Sequence, residues 1–92
     1  MIWTELVDKA ERYGWYLIEP KKEEIDLTCD GHEYKYFQLK YEPFLCHENC
    51  PIRFYRHHNS MFYDDNDVDT FPKLIQVGIK FDDMLEIMKR IA

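Results

Sequence analysis

The sequence predicts an α+β domain: a mostly antiparallel sheet of four to six strands, with N-terminal and C-terminal helices packed on one face. Three observations predict it. Apolar residues recur at helical spacing at both ends of the chain, and they alternate with period two between those ends. Turn-forming residues separate the alternating stretches. The 92 residues suit a single domain spanning 1–92, and no internal repeat or linker divides it.

The first element is a helix over 2–13. Ile2, Leu6, Ala10 and Tyr13 form a stripe that Trp3 and Val7 widen, while Glu5, Asp8, Glu11 and Arg12 occupy the other side. Gly14 supplies the left-handed residue that commonly ends a helix. Trp15 to Ile18 is short and rich in β-formers, and Pro20 closes it, so a strand follows. Ile25 to Cys29 then alternates up to Asp30-Gly31, a two-residue hairpin signal. Folding about that turn pairs Cys29 with His32, Leu27 with Tyr34 and Ile25 with Tyr36, and Asp26 meets Lys35 on the opposite face.

Glu42-Pro43 interrupts the returning strand, and residues 44–51 are expected to form a loop around the CHENC stretch of 46–50. Ile52 to His58 alternates again, with Ile52, Phe54 and Arg56 opposite Arg53, Tyr55 and His57. Asn59-Ser60 turns the chain into Met61–Tyr63, and 64–69 reads as a solvated acidic loop. Leu74 to Lys80 is a further strand, with Ile75, Val77 and Ile79 inward and Gly78 a point of close approach. The final helix takes Asp82 or Asp83 as its cap, Lys89 and Arg90 at its negative end, and Phe81, Met84, Leu85, Met88 and Ile91 as its buried stripe.

Composition narrows the function classes. A domain this small buries only about 60% of its unfolded surface, so its core must be richly apolar. At 46% hydrophobic and 16% aromatic, with three Gly and four Pro, the chain meets that demand and does not read as disordered. Its net charge of −6 repels phosphate backbones, so direct nucleic-acid binding is not expected. The longest apolar run, Trp15–Ile18, falls far short of the ~20 residues that span a bilayer, and no secretory leader opens the chain. Three cysteines cannot all pair within one chain. Free thiols in a cytoplasmic setting, without membrane attachment, are therefore the expectation.

Four patterns are candidates for chemistry or recognition. Cys29-x-x-His32 and Cys46-x-x-x-Cys50 supply the ligand types of a structural zinc as two close pairs, one across the hairpin turn and one across the CHENC loop. Against that reading, Cys29 lies on an apolar face where a thiol is often a core residue, and His47, His57 and His58 compete as ligands. The three-residue gap between Cys46 and Cys50 does not match the Cys-x-x-Cys of thiol–disulfide enzymes. Pairing either cysteine with His57 or His58 would make a nucleophile, but no third orienting group is evident. The His57-His58-Asn59 run likewise lacks the downstream ligand that a metal nuclease needs.

The acidic run offers another candidate. A twelve-residue calcium loop begun at Asp65 would place Thr70 where Gly is needed and Gln76 where Glu is needed, so an EF-hand is excluded. Asp64, Asp65, Asp67 and Asp69 instead form an electrostatic recognition element. Beside them stand aromatic and basic side chains of the kind that dominate interface hot spots, namely Arg53, Tyr55, Arg56, His57 and Tyr63. The leading expectation is thus a small acidic protein-binding module that meets a basic surface of a partner, as an inhibitor, antitoxin-like neutraliser or adaptor. A zinc-stabilised domain and a Cys/His enzyme are the alternatives. A free sheet edge and surplus aromatics also leave room for a homodimer.

Overall fold

The computed structural model describes residues 1–20, 42–64 and 72–91. The expected hairpin about Asp30-Gly31, with Cys29 and His32, lies outside the described residues, as do Asp65, Asp67 and Asp69. Five strands form one sheet in the order β1-β2-β3-β4-β5: β1 Tyr16–Ile18, β2 Phe44–His47, β3 Cys50–Tyr55, β4 Ser60–Tyr63 and β5 Lys73–Gln76. Each strand runs antiparallel to its neighbour. Helices α1, Trp3–Glu11, and α2, Phe81–Ile91, share one apolar core with a single face of this sheet. The α+β architecture expected from the sequence is the one observed.

That core explains which residues became which elements. Leu6, Val7 and Ala10 from α1 meet Met84, Leu85 and Met88 from α2, over Trp15, Leu45, Phe54 and Met61 from the sheet side. Both helices therefore bury the stripes that the spacing predicts, except at their ends. Ile2 is 62% exposed and Ile91 36% exposed, so the stripes are shorter than the periodicity suggests. Asp82 and Asp83 lie inside the first turn of α2 and do not cap it; they act on the helix dipole.

The end of α1 is fixed by two backbone bonds. Trp15 N–H donates to the Ala10 carbonyl at 3.2 Å, and Gly14 N–H donates to the Glu11 carbonyl at 3.2 Å. This is the paired closure of a Schellman motif, with Gly14 at φ +84° in the left-handed position. A Cβ on Gly14 would stand 2.9 Å from His47 Nε2, so the substitution meets steric as well as conformational resistance. Gly14→Ala is expected to destabilise the fold by about 1–2 kcal/mol, measured by urea denaturation. A neutral or stabilising result would contradict this account of the turn.

Two segments differ from expectation. Residues 44–51 are not a loop: Phe44–His47 and Cys50–Tyr55 are strands, joined by a tight hairpin in which His47 pairs with Cys50 across Glu48-Asn49. The His47 Nδ1 accepts the Asn49 N–H at 3.2 Å, a side-chain bond that supports the turn. Pro51, which cannot donate to a ladder, lies within β3. Here the register between β2 and β3 shifts around it, which is where a strand tolerates proline.

The second difference concerns β5. It ends at Gln76, earlier than the expected Lys80, and all four of its residues are exposed. Ile75 (45%) and Val77 (55%) face solvent, while Ile79 alone of the three expected inward residues is buried, at 6%. Gly78 explains the early end, since its φ of +73° turns the chain out of the sheet, whereas an added Cβ there would meet open space. The Gly78 and Ile79 N–H groups then donate to the His58 and Asn59 carbonyls, each at 3.0 Å. His57 likewise lies beyond β3, in a short 3₁₀ turn over His57–Asn59. The Ser60 hydroxyl supports that turn by donating to the His57 carbonyl at 2.7 Å.

Candidate functional site

Strand alternation divides the CHENC hairpin between the two faces of the sheet. Leu45 belongs to the core, so Cys46 beside it faces away from the helices. Cys50 packs against the core from the helix side, and its sulfur accepts the Ile52 N–H at 3.5 Å. The two thiols thus flank one turn but face opposite sides, and both are free. Among the described residues no three His, Cys, Asp or Glu side chains gather as a metal would require.

Cys46 instead has a neighbour on β1. It pairs in register with Tyr16, whose phenol is held above its ordinary value. The largest cause is the hydrogen bond to the Cys46 sulfur, followed by the charge of Cys46, burial and Glu48, with Arg53 opposing. His47 turns the other way and lies against the Trp15 ring at 5.3 Å between centroids. Its place is the junction between the end of α1 and the CHENC turn, a structural setting for a side chain that the sequence offered as a ligand.

The face away from the helices carries a cluster centred on Arg53. Its guanidinium lies 4.7 Å from the Phe44 ring centroid and 2.7 Å from the Asp64 carboxylate. Tyr55 packs between Phe44 at 5.0 Å and Phe62 at 5.1 Å. The register places all of them together: Phe44 opposite Tyr55, and Arg53 opposite Phe62. One cation thus satisfies a carboxylate while its planar surface covers an aromatic ring, an arrangement that suits arginine better than lysine.

This cluster changes the meaning of several predicted binding residues. Alternation set Arg53 and Tyr55 on one face of β3 without saying which face is buried; they lie away from the helices, yet Tyr55 is only 2% exposed. Asp64, expected in a solvated loop, is bound to Arg53 with 13% of its side chain exposed. Arg56 and Tyr63 are exposed as a recognition surface requires, with Tyr63 at 42%. The half-buried His57 stands 3.9 Å from a Glu42 carboxylate oxygen, and its ring lies 4.0 Å from that of His58.

Burial holds the Tyr55 phenol above its ordinary value, with Arg53 opposing through a hydrogen bond and its charge, and Asp64 adding to the rise. A tyrosine that ionises less readily when folded contributes stability that is fully present below the unfolded value of 10.0. That contribution is lost as pH rises through the folded value. Stability is therefore expected to fall above about pH 10, and Tyr55→Phe should flatten the fall while leaving the Tyr16 contribution. Chemical denaturation at pH 8 to 11 checks it; parallel wild-type and variant curves would remove Tyr55 as the cause.

Sequence reasoning missed the feature most relevant to binding. Leu74 (57%), Ile75 (45%) and Val77 (55%) are exposed apolar side chains on and just beyond β5, at one edge of the described sheet. The alternating pattern of 74–79 was legible, but alternation alone does not say whether a strand has a neighbour on its outer side. Among the described residues, no helix is long and apolar enough to cross a membrane. No known protein family, curated protein or solved structure matches this chain.

Proposed function

We propose that the chain is a non-enzymatic, acidic protein-binding module whose partner carries a basic surface around an apolar anchor site. Inhibitor, antitoxin-like neutraliser and adaptor are the roles in keeping with it, including competition for a surface that otherwise receives nucleic acid. The exposure of Leu74, Ile75 and Val77 carries this reading. Specific interfaces place apolar contact at the centre and charge at the rim, and large apolar side chains exposed close together at a sheet edge are suited to such a centre. The net charge of −6 supplies long-range attraction to a cationic partner. The net charge thus steers the approach over long range while the apolar side chains hold the contact.

Two variants separate these contributions. Affinity capture from host extract should retain a basic protein on the wild type. Val77→Lys should weaken that retention about tenfold or more, as for loss of one interface anchor. Joint replacement of Asp65, Asp67 and Asp69 by asparagine should instead slow association and reduce its salt dependence. Circular dichroism would confirm that both variants remain folded. Equal retention by all three proteins would overturn the reading, as would a captured partner whose binding is indifferent to salt and to Val77.

A further inference from the structure

We draw no further inference here: the strongest candidate, the exposed apolar surface of Leu74, Ile75 and Val77 at the β5 edge, belongs to the surface already proposed for partner binding, and nothing in the structure shows what covers it.

Discussion

Replacing Trp15 with alanine is expected to remove about 3–5 kcal/mol of stability, the usual cost of emptying a large aromatic site in a core. Trp15 is 1% exposed and joins more elements than any other single side chain described above. Its backbone N–H closes the end of α1 on Ala10, and its ring meets Phe54 of β3 and His47 of β2, each at 5.3 Å. Its indole N–H donates to the Met88 carbonyl at 3.2 Å. Met88 lies in the last four residues of α2, where carbonyls lack partners within the helix. The indole therefore satisfies a buried acceptor and fills volume at once.

Those two roles separate experimentally. Trp15→Phe keeps a ring but removes the donor, leaving the Met88 carbonyl unpaired at a cost of about 1–3 kcal/mol. A domain of this size has on the order of 5–10 kcal/mol to lose, so Trp15→Ala approaches the limit of folding and the phenylalanine variant keeps the test readable. Urea denaturation followed by far-ultraviolet circular dichroism gives both values. If the alanine variant lost less than about 1 kcal/mol, Trp15 would not be the joint between the helices and the sheet.

The helices and most strands were legible because each records its burial in local spacing. Leu6, Ala10, Met84 and Met88 recur at helical intervals, and Gly14 marks the end of α1 through its own backbone preference. The CHENC hairpin was not legible for a physical reason. Its turn, Glu48-Asn49, lacks glycine, and proline follows the second cysteine, so propensity pointed to a loop. Pairing across β1, β2 and β3 outweighs those local signals, and the register shift accommodates Pro51. The candidate site was less legible still, because a sequence does not show which strands have neighbours. Val77 and Val7 are the same residue type in apolar patterns, yet one is exposed and the other belongs to the core.

Asp64 shows the same limit at the level of charge, and it yields the second large effect. In sequence it opens an acidic run; in the fold its carboxylate holds Arg53 at 2.7 Å. Arg53→Ala is expected to cost about 2–4 kcal/mol, below the range for fully buried pairs because the guanidinium side chain keeps 28% of its exposure. The loss combines an Asp64 carboxylate without its arginine, an uncovered Phe44 ring and a Tyr55 hydroxyl without its cation. Asp64→Asn should cost less, about 1–2 kcal/mol, since an amide still accepts from arginine. Joint replacement, Arg53→Met with Asp64→Leu, should recover more than half of the Arg53→Ala loss, because apolar pairs substitute well for desolvated ion pairs. A double-mutant cycle from denaturation curves measures the coupling, expected above about 1 kcal/mol. A coupling near zero would mean that the Arg53 pair contributes little to the fold and would return Asp64 to the acidic recognition element. A strong coupling leaves Asp65, Asp67 and Asp69 as the carboxylates whose neutralisation tests charge steering.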